Sequence, residues 1–129
     1  MASRFHLFST ALVMAFMASA ISAQVTLKRG AVVYAGSAAN TTAPATIDEK
    51  KVQEATEEWK KIEADGIDLD SARGKQLVQK MNAKVREAVK AIATDESRDL
   101  VVRKDDIIDD KGHEVVDLTD KVVKKLEDK

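Results

Sequence analysis

Two acidic stretches hold the densest oxygen donors in this chain: Asp65-Gly66-Ile67-Asp68-Leu69-Asp70, and the run from Asp105 to Gly112. Such runs invite a calcium reading. The EF-hand loop needs oxygen ligands at alternate positions, glycine at the sixth and a bidentate glutamate at the twelfth. With Gly66 sixth, Leu69 falls ninth and Ala72 twelfth; with Gly112 sixth, Ile107 falls first. Both registers fail, and the two stretches read as solvated turns. His113 is the only histidine beyond residue 23, and the chain has no cysteine. A zinc site led by histidine or thiolate therefore has nothing to build on.

Catalytic patterns fare no better. Ser37, Ser71 and Ser97 have no histidine pattern nearby, and no G-x-S-x-G occurs. Glu57 and Glu58 are adjacent on a helical stretch, so their carboxylates point to different faces. No glycine loop could cradle phosphate. The expectation is a protein that is not an enzyme, with no cofactor, no metal and no small-molecule substrate.

Contact chemistry remains. Trp59 is the only tryptophan, beside Lys60 and Lys61, with Lys84 on the following helix. Trp59 reads either as an interior residue facing Met81 or Val85 or as an exposed apolar contact, since surfaces that hold other proteins expose hydrophobic area. The interior reading is the simpler one. Lysines along this region alternate with acids, Glu57 to Lys61 being one i,i+4 pair. Trp59, Lys60, Lys61 and Lys84 are the candidate contacts for a client or partner.

The elements that must position them begin after an export signal. Arg4 precedes the apolar run LFSTALVMAFMASA, and ASAISA supplies small residues for cleavage. Cleavage is expected after Ala23, with Ala20 the alternative. The apolar run is short of the roughly 20 residues a spanning helix needs. Residues 24–129 then form one domain. Losing Arg4 takes the net charge from -1 to -2. Without a basic excess, and with one tryptophan and one tyrosine, the chain is not expected to bind nucleic acid. All three phenylalanines lie before residue 24, so the core must be Val, Ile, Leu and Ala.

Residues 24–36 lean to strand, with Val25 and Leu27 alternating with polar neighbours. Residues 37–46, small and uncharged around the only proline, read as a linker. Residues 47–94 read as an antiparallel helical hairpin. Val52, Ala55, Trp59 and Ile62 make one stripe, and Val78, Met81, Val85, Ala88 and Ile92 another. Asp48 or Thr46 can cap the first helix, Gly66 ends it, and Asp68 or Asp70 can cap the second. The lengths, about 25 Å and about 37 Å, leave the end of the second helix overhanging. The tail, residues 98–129, is expected to cover it. Leu100, Val101 and Val102 form a strand; Ile107 and Ile108 resume it after Asp105-Asp106. A turn at 109–112 follows, then Val115 and Val116 in a further strand. Asp117 or Thr119 caps a helix carrying Leu118, Val122 and Leu126. The class is α+β: an antiparallel helical hairpin with a small sheet and a short C-terminal helix. Such short strands make a poor monomeric core, so the apolar residues of the tail are expected to bury by self-association.

The order AVKAIA, RDLVV, a turn, then VVDLTDKVVKKL resembles the carboxyl-terminal half of the OmpH/Skp family of periplasmic chaperones. Asp99, Leu100, Val101, Val102, Asp117, Thr119, Val122 and Leu126 carry the likeness, which spans residues 46–127 and is strongest over 88–126. It implies a homotrimer with a small β-barrel body and helical arms, working as an ATP-independent holdase for unfolded or outer-membrane proteins in the periplasm. A host lacking an outer membrane would secrete it. The hairpin is far shorter than that family's arms, and the chain is slightly acidic where characterised members are basic. The alternative is a structural or adaptor module that docks one folded partner of the envelope.

Overall fold

The computed structural model describes residues 24–128, so the segment read as an export signal lies outside the described residues. Strands β1 (Thr26–Leu27), β2 (Val33–Gly36) and β3 (Pro44–Ile47) come first. Helices α1 (Glu49–Glu54), α2 (Glu57–Ala64) and α3 (Ala72–Asp95) follow. Then come β4 (Leu100–Arg103), β5 (Ile107–Asp109), β6 (Val116–Asp117) and α4 (Thr119–Glu127). The chain is α+β. Among the described residues no helix is long and apolar enough to cross a membrane.

Four strands form one sheet in the order β2-β4-β3-β6, with β2 antiparallel to β4 and both β4 and β6 parallel to β3. The stretch read as a linker therefore needs correcting. Its last residues, 44–46, open β3, an interior strand lying between β4 and β6. Pro44 takes the first position of the strand, where a missing N–H costs least. Small side chains suit a strand covered on both faces, and that composition is what made the segment look like a linker. The strands flanking the turn at 109–112 do not pair with each other. β5 pairs with β1 in a separate two-stranded ribbon, whereas β6 pairs with β3.

The first helical stripe is broken in two. Thr56 leaves helical geometry at φ -83° and ψ 146°, donates its hydroxyl to the Gln53 carbonyl at 2.6 Å and caps α2 by accepting from Trp59 N at 3.2 Å. A threonine hydroxyl competing for the backbone ends one helix and starts another. Asp48 caps α1 as expected, accepting from Lys51 N at 3.3 Å. α3 is capped by Ser71, which accepts from Gly74 N at 3.0 Å, and not by Asp68 or Asp70. α4 has no side-chain cap of its own. Asp117 instead accepts from Thr119 N at 2.8 Å, and the Thr119 hydroxyl accepts from Asp48 N at 2.8 Å, joining the two helix starts. α2 does end at Gly66, with φ 57° and the return bond from Ile67 N to Ile62 O at 3.0 Å that marks a Schellman cap.

One face of α3, through Met81, Val85, Ala88, Val89 and Ala93, packs on the sheet at Tyr34, Ala45, Ile47 and Val101. Val52 of α1 joins that core, as do Leu118, just before α4, and Val122 within it, so the tail does cover the overhang of α3. The reason given for self-association fails here. Leu100, Val101 and Val102 are each 0% exposed within one chain, because β4 is an interior strand with neighbours on both sides. Leu118 and Val122 are equally buried, while Val115, Val116 and Leu126 are half-buried. The single chain shelters the interior strands of its four-stranded sheet.

Candidate functional site

Because Thr56 restarts the helix, the first turn of α2 sits beside the middle of α3, and α4 lies along α3 as well. Between them runs a groove of about 350 Å³. Its floor is Ala88 and Ala91 of α3 with Leu126 of α4; Glu57, Glu87, Lys84 and Lys125 stand around it. Alanines one helical turn apart let another chain approach the α3 backbone. Volume and lining suit a few apolar side chains with charged neighbours, at the low end of the range for binding clefts.

Lys84 is held at the rim by Glu58. The two side chains form an ion pair, although Glu58 is only 8% exposed. Burial pushes the Glu58 carboxyl up, but the Lys84 hydrogen bond, its own backbone N–H and the charges of Lys84 and Lys80 outweigh this and hold it below the usual glutamate range. Its position in the first turn of α2 also suits a negative charge. Glu58 Oε2 and Trp59 Nε1 are both buried without a hydrogen-bond partner.

Of the candidate client contacts the groove gathers only Lys84, and of the tail residues expected in the core or the seam between chains it gathers Leu126. Trp59 is half-buried against the main core, which is the interior reading. Lys60 is exposed and pairs with Glu57 at 3.7 Å, in place of the expected Glu57–Lys61 pair. Lys61 is exposed, with no ion pair among the described residues, and neither Lys60 nor Lys61 lines the groove. His113 lies in the turn after β5, its N–H donating to Asp110 O at 3.0 Å. Among the described residues no three His, Cys, Asp or Glu side chains cluster as a metal site would require.

Sequence reasoning missed Glu87, Ala91 and Lys125, which read as ordinary positions of a solvated face. It also missed Thr56, although a threonine followed by two glutamates is a visible helix-start pattern. Two further carboxylates anchor the scaffold. Asp106, 2% exposed, accepts from Val32 N at 2.9 Å and from both Nε and an outer nitrogen of Arg103 at 3.0 and 3.2 Å. Burial raises its pKa, and these donors, with the charges of Arg103 and Lys28, bring it below the usual range. Asp99 accepts from the Thr41 hydroxyl, from Thr42 N at 2.7 Å and from Ala43 N at 3.1 Å, fastening the loop before β3.

Comparison with family models, with curated proteins and with solved structures finds no match to this chain.

Proposed function

We propose that this chain is a non-enzymatic protein-binding module of the periplasm, a nucleotide-independent holdase that shelters apolar segments of unfolded or outer-membrane proteins. One observation carries the reading: the α2–α3–α4 groove, with a floor of alanines and leucine and charges of both signs around it. An apolar side chain laid on that floor gains about 1.5–3 kcal/mol when fully buried, and the rim holds flanking charges of either sign. The resemblance of residues 88–126 to the OmpH/Skp family supports the same reading. The homotrimer implied by that resemblance has a different purpose here. One chain already buries the interior strands of its four-stranded sheet, so a trimer would serve to present several grooves at once, and linked weak sites gain through effective concentration.

A second reading, an adaptor docking one folded partner, is favoured by a specific observation. Among the described residues the large hydrophobics that stand clearly exposed are Leu69 at 46% and Ile108 at 67%, far apart in sequence. A general holdase offers more apolar surface than that. Light scattering from a denatured outer-membrane protein diluted into this protein, without nucleotide, separates the two. Suppression at near-stoichiometric ratio that is lost in Ala91→Glu supports the holdase. No suppression at several-fold excess, with one dominant crosslinked partner, supports the adaptor.

A further inference from the structure

Away from the groove, Tyr34 is 7% exposed and donates its hydroxyl to Glu49 Oε2. Burial and the neighbouring Glu49 push the Tyr34 pKa up, so the phenol keeps its proton and stays a donor. Over the ring lies Arg86, its guanidinium carbon 5.7 Å from the ring centroid and one nitrogen 3.3 Å from Val33 O. Glu49 and Arg86 thus carry opposite charges beside one buried ring, yet they form no ion pair with each other. Each is tethered elsewhere. The space between them is a concavity of about 220 Å³, also lined by Gln53 and Asn82. Among the described residues neither of those amide side chains has a hydrogen-bond partner. Nearby cations differ, since Arg103 is spent on Asp106 and Lys50 reaches Glu54 at 3.9 Å.

We propose that this concavity binds a small zwitterion of the α-amino-acid class, its carboxylate on Arg86 and its ammonium on the free oxygen of Glu49. Two opposite charges on one concavity that form no ion pair with each other, each hydrogen-bonded to a different group, suit a ligand carrying both complements, because little rearrangement is needed on binding. Arg86 retains most of its donor fork, which suits a carboxylate. Gln53 and Asn82 accept and donate to whatever polar atoms remain. A purely anionic ligand would meet Glu49 and a purely cationic one Arg86, so each half alone is opposed. The affinity expected is on the order of millimolar.

The test is a titration of the 15N-labelled protein with L-alanine, followed by amide shifts in two-dimensional NMR, beside propionate and ethylammonium as the two halves. Saturable shifts confined to residues 32–34, 49–53 and 82–86 are expected, with each half weaker by about tenfold or more. Arg86→Ala and Glu49→Gln should each weaken L-alanine to a similar degree while the spectrum stays dispersed. Asn82→Ala, an exposed position, should weaken it less. The proposal is overturned by an absence of saturable shifts, by propionate or ethylammonium alone matching L-alanine, or by unchanged binding in both charge variants.

Discussion

Lys84, more than half exposed, closes an ion pair on Glu58, which is nearly buried, and so ties the first turn of α2 to the middle of α3. Removing the lysine strands a carboxylate whose second oxygen already lacks a partner. Lys84→Ala is expected to destabilise the fold by about 1–3 kcal/mol, the range for a buried polar group left unmade. Glu58→Gln, which removes the charge, should cost less. Urea unfolding of the two variants checks the order. No loss in Lys84→Ala would mean that the pair does not hold α2 in place. It follows that charge reversal at Lys84 mixes stability with binding, and Lys125 is the better probe of the groove rim.

Asp99 gives acid stability a defined window. Desolvation works against its charge, yet the hydrogen bonds from Thr41, Thr42 and Ala43 outweigh it and hold the carboxyl at about 2, below the ordinary aspartate value of 3.8. A depressed folded pKa contributes stability that is fully present above the unfolded value and is lost as pH falls through the folded one. Thermal unfolding measured between pH 4 and pH 2 should therefore fall less steeply in Asp99→Asn than in the parent, and Asp99→Asn should be the less stable of the two at pH 7. Identical slopes would remove Asp99 as the anchor of the loop before β3.

Gly74 lies in the first turn of α3 where the α2–α3 turn crosses closest. A Cβ placed there would stand 2.1 Å from the Asp68 carbonyl oxygen. Gly74→Ala should cost about 1–3 kcal/mol as an overpacking substitution despite alanine's better helix propensity. The melting temperature measures it; an unchanged or raised value would show that the turn is free to move aside.

Trp59 offers an optical check. Half-buried against the core with Nε1 unpaired, it should emit to the blue of an exposed indole. Trp59→Phe deletes an N–H that has no partner and a ring that is only partly buried, so the loss should stay under about 1.5 kcal/mol. Emission at the wavelength of free tryptophan would restore the reading of Trp59 as an exposed contact.

Much of the framework was legible because periodicity reports burial. The stripes of Val52, Ala55 and Ile62 and of Met81, Val85 and Ala88 are buried where their spacing put them. Leu100 to Val102, Leu118 and Val122 are core residues, as their pattern implied. What escaped was mostly non-local. Pairing β3 with β4 joins residues more than fifty positions apart, and Pro-Ala-Thr carries no alternation to announce a strand. Glu58 and Lys84, or Tyr34 and Glu49 across β2 and α1, meet only once the helices have docked. The expected dependence of the tail on partner chains rested on counting strands without seeing β3 among them. With β3 in place, the sheet has two interior strands, and α3 of the same chain packs on it.

Hydrogen exchange of this protein alone and with an unfolded outer-membrane protein tests the groove most directly. New protection confined to residues 84–91 of α3 and to Lys125 and Leu126 of α4 is the expected result. Protection at the β1–β5 ribbon around Ile108 instead, or none anywhere under conditions where the two proteins associate, would contradict it.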